Sequence, residues 1–434
     1  MNAEYYKLLN EFVAFRTVAN SDESKQEFKK CVSWIEQLLK SKWFTVNLIT
    51  QYGNPIVVAD AFVDSELETW VIYWNYDVVP ADKKDWRKED PFSLYLWKEK
   101  IIWRWICNGK WELLMYILWI EELIKSNKLK FNVRFIIEWD RYNWSFWLKQ
   151  LLEKSELKAD FFVSSIWVSL PNYSVVNTWF RWWFTSKLVL KSANTEFDTA
   201  RFSSIIPNVL NESISLFSKL YDINWNITIP YFYYDVEKIS ANEKTMNWRI
   251  KYDMDSLQEK LWLKKIRNND SDIFSTSWFV PMVEITWISS GNTAEERWVI
   301  PNVAVVTLDF KLVSNQKVDS VQSLFQQWIK SNLPDYIDCQ LSFSWGAEPV
   351  RYSTDNYFAD RAKDILLKSH GNRVVNFSSW FTFPVAKSVY NNVTKNIVNV
   401  PLINDDCNLW ILNENIDINL IENWINFVSL YFWK

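Results

Sequence analysis

The spacing of apolar and polar positions predicts helices alternating with strands over the first part of the chain. Short β-rich apolar runs alternate there with amphipathic segments at helical spacing. Strands are predicted at residues 44–50, 56–62, 69–73, 132–137 and 159–164, and helices at residues 4–16, 20–42, 110–126 and 145–154. This alternation is typical of an α/β domain built on a mostly parallel sheet.

The pattern changes near residue 184 and changes back after Pro349. Between these points, alternating strands are predicted at residues 185–191, 305–312 and 338–344, with helices at residues 207–220 and 318–331. The α/β pattern then returns, with helices at residues 357–369 and 418–432 and an apolar run at residues 397–402. We therefore predict a discontinuous α/β domain, residues 1–183 and 348–434, and an inserted α+β domain, residues 184–347, with an exposed sheet edge.

Composition and charge fit a two-domain globular protein of 434 residues, with 49% hydrophobic and 23% charged residues. The net charge of −4 gives no electrostatic reason to expect nucleic acid or an anionic membrane as partner. The start of the chain lacks the pattern of a signal peptide, and no apolar run reaches the roughly 18–20 residues that a membrane span needs. The cysteines are widely spaced and are expected to be reduced thiols in a cytoplasmic protein: Cys31, Cys107, Cys339 and Cys407.

The ratio of glycine to tryptophan is abnormal. The chain has 5 glycines and 29 tryptophans, whereas ordinary usage would give about 30 glycines in this length. Trp43 follows a predicted helix at a position where glycine is usual, because the backbone must adopt positive φ there. We hypothesise that many of these tryptophans come from a codon that the natural host reads as glycine. The alternative is a genuinely tryptophan-rich protein.

Five short motifs occur in a fixed order along the chain. They are VIYWNYDVVP at residues 71–80, WRWICNGKW at residues 103–111, EWDRYNWS at residues 138–145, VSSI at residues 163–166 and NLWILNEN at residues 408–415. Together they resemble the motifs of the di-zinc metallopeptidases that include aminoacylases, carnosinase-type dipeptidases, carboxypeptidase G, acetylornithine deacetylase and succinyl-diaminopimelate desuccinylase. The resemblance implies a zinc-exopeptidase-like mixed sheet with helices on both faces, plus an inserted α+β lid or dimerisation domain. Several tryptophans occupy family glycine positions: Trp74, Trp103, Trp105, Trp111, Trp139 and Trp144.

The resemblance also locates the family's two-zinc site on this chain. The aspartate that orients a zinc-binding histidine is kept as Asp77, whereas the catalytic base position holds Arg141. The five metal-ligand positions are all substituted: Asn75, Asn108, Tyr142, Ile166 and Trp410. Reading Trp410 as glycine restores no imidazole. No metal ligand set is therefore intact, and we expect no cofactor, although the family binds two zinc ions per chain.

The substitutions remove the chemistry that a zinc pair needs. Co-catalytic zinc requires imidazole and carboxylate ligands and a bridging carboxylate. An arginine cannot act as a base near neutral pH because its pKa exceeds about 12. We therefore predict a non-catalytic binding or regulatory homologue. Two alternatives stay open: an active hydrolase with unconventional ligands drawn from Asp77, Asp140, Asp405, Asp406 and Glu414, and a purely structural dimer.

Two further positions concern ligands and partners. The resemblance places Asp198 where the family has a histidine that reaches the partner subunit's active site, and Arg351 where some relatives have a site-facing arginine. It implies a homodimer or heterodimer formed through the inserted domain, and a peptide or N-acyl amino acid as ligand. His370, the only histidine in the sequence, is predicted to lie in an exposed loop, and Cys107 is predicted to be a buried structural thiol.

Overall fold

A computed structural model describes residues 3–81, 90–104, 106, 109–154, 157–266, 273–291, 297–344, 349–379, 382–404, 406–409 and 413–433. The helices are α1 (Ala3–Ala14), α2 (Lys25–Ser41), α3 (Lys110–Lys125), α4 (Phe146–Lys154), α5 (Thr199–Phe202), α6 (Val209–Ser218), α7 (Ala241–Trp248), α8 (Met254–Lys260), α9 (Ile273–Phe279), α10 (Val318–Asn332), α11 (Tyr357–His370), α12 (Ala386–Asn392) and α13 (Ile418–Tyr431).

The strands are β1 (Thr45–Ile49), β2 (Ile56–Ala61), β3 (Thr69–Asn75), β4 (Tyr95–Trp97), β5 (Lys100–Ile102), β6 (Asn132–Glu138), β7 (Phe161–Ser164), β8 (Tyr173–Phe180), β9 (Trp182–Lys191), β10 (Phe197–Asp198), β11 (Met282–Ser290), β12 (Val299–Ile300), β13 (Val303–Leu312), β14 (Asp338–Phe343), β15 (Val350–Arg351), β16 (Arg373–Ser379), β17 (Ile397–Asn399) and β18 (Asn415–Asp417). The chain divides into two compact units. One runs to Trp179 and resumes at Arg351, and the other is Phe180–Val350 with a short segment ending at Phe383.

The first unit is built on a mixed sheet. Its strand order is β1-β2-β6-β3-β7-β17-β8-β15, with β16 paired to β8. The central strands β6, β3, β7 and β17 run parallel, and β1 and β2 are antiparallel at one side. The parallel strands are buried along nearly their whole length, as expected for a sheet covered by helices. The predicted α/β fold class is confirmed.

Aromatic packing joins this sheet to helices α11 and α13. Trp70 on β3 stacks on Phe131 with ring centroids 4.2 Å apart, and Phe161 on β7 stacks on Phe358 of α11 at 4.3 Å. Tyr431 at the end of α13 donates a hydrogen bond to the Phe358 carbonyl at 3.1 Å. These contacts fix the strands whose carboxyl ends carry the candidate site.

The second unit is an antiparallel sheet with helices. Its strand order is β11-β13-β9-β14. Side chains on β9 and β13 alternate strictly between buried and half-buried or exposed positions, as expected when one face of a sheet covers a core. Phe325 of α10 packs on Phe310 of β13 at 4.9 Å. Strand β11 is an edge with largely exposed side chains. Among the described residues, no helix is long and apolar enough to cross a membrane.

Candidate functional site

Four polar residues lie at the carboxyl ends of the parallel strands. Asn75 ends β3 opposite Glu138 at the end of β6, and Ser164 ends β7 opposite Asn399 at the end of β17. In open α/β sheets, ligands bind outside the carboxyl ends of the strands. The register therefore brings these side chains and the segments after them to one edge of the sheet.

Asn75, Asp77 and Arg141 form one buried hydrogen-bond network. The Asn75 amide nitrogen donates to Asp77 Oδ1 at 2.9 Å and to the Asp77 carbonyl at 3.0 Å. The Asn75 amide oxygen accepts from an Arg141 Nη at 2.9 Å. Asn75 therefore bridges the retained aspartate and the arginine, and its only metal-binding atom is already committed to a cation.

Burial controls the charge of Asp77. Burial raises the pKa of the Asp77 carboxyl to about 6, while the Tyr142 backbone N–H, the Asn75 amide and the Arg141 charge act in the opposite direction. The Tyr142 N–H donates to Asp77 Oδ2 at 3.0 Å. The tyrosine at this former ligand position thus contributes its backbone, and its ring packs with Val78 and Phe92.

Arg141 is only 4% exposed. Its Cζ lies 4.9 Å from the centre of the Trp167 ring and 5.9 Å from the Tyr142 ring. Within the described residues, the second terminal nitrogen, Nη2, has no hydrogen-bond partner. A buried cationic donor without an acceptor is energetically costly, so this nitrogen is an unsatisfied donor of the site.

Glu138 is a buried carboxyl that the sequence reasoning did not single out. Its Oε1 accepts hydrogen bonds from the Tyr73 hydroxyl and, at 2.6 Å, from the Ser145 hydroxyl. Burial raises its pKa to about 8, and the nearby Asp77 charge acts in the same direction. Glu138 is the first residue of the third motif, and that position was the available signal.

Asn399 fills the other end of the site and was also missed. Its amide oxygen accepts from the Ser164 hydroxyl at 2.8 Å and from the Ile166 N–H at 3.0 Å, and its amide nitrogen donates to the Ile166 carbonyl at 3.1 Å. The Ile166 side chain is fully buried. An aliphatic core residue therefore stands at this former ligand position.

The remaining candidate acids are engaged elsewhere or lie outside the described residues. Glu414 is buried and pairs with Arg104 at 3.6 Å, and Asp406 pairs with Lys100 at 3.0 Å. Two ligand positions and two neighbouring candidates fall outside the described residues: Asn108, Trp410, Cys107 and Asp405. Within the part of the chain that the structure describes, no group of three or more His, Cys, Asp or Glu side chains could hold a metal ion.

The described residues do not fit a pair of zinc ions. Zinc ligands are imidazole, thiolate or carboxylate groups. Here an amide whose oxygen binds Arg141, an aliphatic side chain and a tyrosine stand at Asn75, Ile166 and Tyr142. A guanidinium beside the metal position adds repulsion of about 4 kcal/mol for each unit of charge at about 4 Å and an effective dielectric constant of ~20. No catalytic step can be derived through zinc with this donor set.

Asp198 and Arg351 lie on other elements. Asp198 caps the short helix α5: its carboxylate accepts from the N–H groups of Ala200 at 2.7 Å and Arg201 at 3.2 Å, and its side chain is exposed. Arg351 is half-buried on β15, at the end of the mixed sheet. Their ligand-binding roles stay predictions.

The prediction of an exposed loop histidine was wrong. His370 is the last residue of α11, and its ring packs against Trp424 with centroids 4.5 Å apart. Its Nδ1 is 2.8 Å from the Ser369 hydroxyl, and burial lowers its pKa to about 4. The predicted helix stopped at residue 369, and the sequence could not show that the last turn packs on α13.

A cavity of about 710 Å³ is lined in part by residues that flank Arg141 in the chain, and its volume is within the usual range of ligand sites. Its walls combine aromatic, charged and amide groups: Ala19, Asn20, Ser21, Asp22, Lys25, Phe28, Lys29, Gly53, Asn54, Trp139, Asp140, Asn143, Phe146 and Trp147. Asp140 precedes Arg141 in the chain, so the cavity borders the segment that carries the arginine. Burial raises the pKa of Asp140.

The chain is similar to known peptidases in sequence and in fold. Residues 201–337 match a peptidase dimerisation domain. The chain is 22% identical to a Beta-Ala-His dipeptidase of Homo sapiens over 80% of this chain and 71% of that protein. It is 21% identical to a Cys-Gly metallodipeptidase of Candida albicans over 98% and 93%. The crystal structure of an M20 family metallo-carboxypeptidase from Sulfolobus solfataricus superposes with a TM-score of 0.88 at 21% identity, covering 100% of this chain and 99% of that one. The resemblance seen in the motifs is thus confirmed.

Proposed function

Since the chain is a homologue of the M20 dipeptidases and metallo-carboxypeptidases, we propose that it is a non-catalytic member that binds a peptide or an N-acyl amino acid. The observation that carries the proposal is Arg141, which occupies the base position and binds the amide oxygen of Asn75. A fixed cation there replaces both the base and part of the metal charge. Binding is retained in this scheme and hydrolysis is lost.

The proposed ligand is defined by its charge. Arg141 offers a buried, unused Nη2 donor among the described residues, and guanidinium groups bind carboxylates by charge-assisted hydrogen bonds. Dipeptides and N-acyl amino acids both carry a free α-carboxylate. We infer that this carboxylate accepts a hydrogen bond from Arg141 Nη2 and neutralises the buried positive charge of the arginine.

The assembly and location belong to the same proposal. The match of residues 201–337 to a peptidase dimerisation domain supports a homodimer or heterodimer formed through the second unit. Free Cys31 and Cys339 support a reducing, cytoplasmic environment. Neither the proposed dimer nor the proposed location requires a disulfide bond.

Metal analysis and ligand binding on the same purified protein test this proposal. We expect zinc far below two per chain, no hydrolysis of dipeptides or N-acyl amino acids, and a raised melting temperature with the carboxylate ligands. Their C-terminal amides are the matched controls and should not raise it. Zinc near two per chain together with hydrolysis would support the active hydrolase instead. An unchanged melting temperature with every ligand would leave the structural dimer.

A further inference from the structure

Five tryptophans have a left-handed backbone conformation. Among the described residues, those with positive φ that are not glycine include six asparagines, five tryptophans, one tyrosine and no phenylalanine. The sequence contains 29 tryptophans, 28 phenylalanines and 19 tyrosines. Asparagine tolerates this region, whereas a bulky side chain there is an outlier. If these tryptophans were ordinary aromatic residues, they should be as rare in this region as phenylalanine.

Trp43 lies in a helix ending that favours glycine. After α2, the Trp43 N–H donates to the Lys40 carbonyl at 3.2 Å and the Phe44 N–H donates to the Leu39 carbonyl at 3.1 Å. This pair of bonds defines a Schellman ending, in which the residue at Trp43 must have positive φ and is usually glycine. Its φ is 66°.

Trp262 repeats the same geometry after α8. The Trp262 N–H donates to the Glu259 carbonyl at 3.1 Å, the Leu263 N–H donates to the Gln258 carbonyl at 2.9 Å, and φ of Trp262 is 53°. Trp262 is 92% exposed, so no packing compensates for the strained backbone. In the equivalent ending of α3 the residue is Asn127, which tolerates positive φ.

The other three lie in turns or bends, two of them at the candidate site. Trp144 ends the turn that carries Arg141, with φ of 66°, and Trp167 follows the former ligand position Ile166, with φ of 78°. Trp225, with φ of 65°, closes a turn in which its N–H donates to the Asp222 carbonyl at 3.0 Å. All five positions require what glycine provides without steric cost.

We propose that the natural protein carries glycine at these five positions, because its host reads as glycine a codon that the printed sequence renders as tryptophan: Trp43, Trp144, Trp167, Trp225 and Trp262. We expect the ordinary tryptophan codon at Trp70, which lies on strand β3 and does not have positive φ. Trp70 is fully buried, stacks on Phe131 and donates its indole N–H to Glu68 at 3.2 Å. In the printed sequence, the letter W therefore stands for two different codons.

The inference changes the candidate site. The Trp167 ring lies over the Arg141 guanidinium, 4.9 Å away. Glycine at residue 167 removes that cover and exposes a face of the arginine, while the hydrogen bond from Arg141 to Asn75 is unaffected. A ligand carboxylate then reaches Arg141 through the space that the indole fills.

Mass spectrometry of the protein purified from its natural host tests the proposal directly. Trypsin should release residues 142–149, YNWSFWLK in the printed sequence, and residues 261–264, LWLK. We expect glycine at residues 144 and 262 and tryptophan at residue 70, with one codon shared by the five positions and a different codon at residue 70. Tryptophan at the five positions in the native protein overturns the proposal.

Recombinant variants test the steric argument independently. Trp225 and Trp287 are similarly exposed, at 53% and 62%, but only Trp225 has a left-handed backbone. Trp225→Gly should raise the melting temperature because it relieves a strained turn, whereas Trp287→Gly should lower it because glycine weakens strand β11. A lower melting temperature for Trp225→Gly and also for Trp262→Gly would contradict the argument.

Discussion

At the scale of single residues, Arg141 decides both the charge and the stability of the site. It is the only described side chain that donates to the Asn75 amide oxygen, and its charge lowers the pKa of Asp77 against the effect of burial. The motifs pointed to Asn75, Asp77 and Arg141, but not to the way they connect. The structure places Asn75 between Asp77 and Arg141 and pairs Arg104 with Glu414.

Removing the arginine should destabilise the fold. Arg141→Met leaves the Asn75 amide oxygen unsatisfied and deprives buried Asp77 of a nearby positive charge, so we expect a loss of about 2–3 kcal/mol in unfolding free energy. Denaturant titration with a fluorescence readout measures this loss. Arg134→Met is the matched control because Arg134 forms a more exposed pair with Asp60 at 2.7 Å, and it should cost less than about 1 kcal/mol. Equal losses in the two variants would rule out a special role for Arg141.

The buried carboxyl of Glu138 predicts a pH dependence of stability. Its pKa rises from 4.5 to about 8 on burial, so the folded state binds the proton more tightly than the unfolded state. Stability from this group is therefore complete below pH 4.5 and is lost as the pH rises through about 8. Glu138→Gln should match the parent protein near pH 4.5 and exceed its stability at pH 8.

The control for this prediction is a surface glutamate. Glu66→Gln, at an exposed position, should leave the pH profile of the unfolding free energy unchanged. Because the glutamine carbonyl can still accept from Tyr73 and Ser145, the comparison isolates the proton. Parallel profiles for Glu138→Gln and the parent protein across this range would show that Glu138 does not titrate there.

At the scale of elements, periodicity located helices and strands better than their ends. The predicted start of the second helix at residue 20 was wrong. Asn20 has a φ of 58°, and α2 starts at Lys25 after a single 3₁₀ turn. The reason is a long-range contact. The Ala19 N–H donates to the Val78 carbonyl at 2.8 Å, so the backbone before α2 is held against the segment that follows β3, and the helix begins later. The spacing of apolar residues near Asn20 does not reveal that hydrogen bond.

The edge strand β11 carries the prediction for assembly. Ile285 and Ile288 are 40% and 48% exposed on this strand, and an apolar unpaired edge is a surface for pairing with another chain. Ile288→Asp should therefore shift an oligomer toward monomer in light scattering coupled to size-exclusion chromatography. Gln340→Asp on the opposite edge strand β14 is the control and should leave the mass unchanged. Loss of assembly in both variants, or in neither, would place the interface elsewhere.

At the scale of the whole molecule, the family resemblance and the fold were predicted from the order of the motifs. Five motifs at fixed spacing constrain a topology more strongly than any single periodicity. The sequence pattern changes near residue 184 and again near residue 348. In the structure, the two units divide between Trp179 and Phe180 and again between Val350 and Arg351. The sequence did not indicate Asn399 as a site residue, because its role depends on β17 pairing with β7 from far along the chain.

If the substitutions alone abolished metal binding, reversing them together should restore it on the same scaffold. The changes are Asn75→His, Asn108→Asp, Arg141→Glu, Tyr142→Glu, Ile166→Asp and Trp410→His. We expect this sixfold variant to bind zinc, with a chelator lowering its melting temperature, because a ligand that binds only the folded state stabilises it. The parent protein should show no chelator effect.

The fivefold variant that keeps Arg141 separates ligand loss from charge repulsion. It should bind zinc more weakly than the sixfold variant, because the guanidinium remains beside the metal position in a buried site. Isothermal titration with zinc compares the two, and circular dichroism confirms that both are folded. A folded sixfold variant that binds no zinc would show that the scaffold itself, and not only the ligand positions, has diverged from the metal-binding geometry.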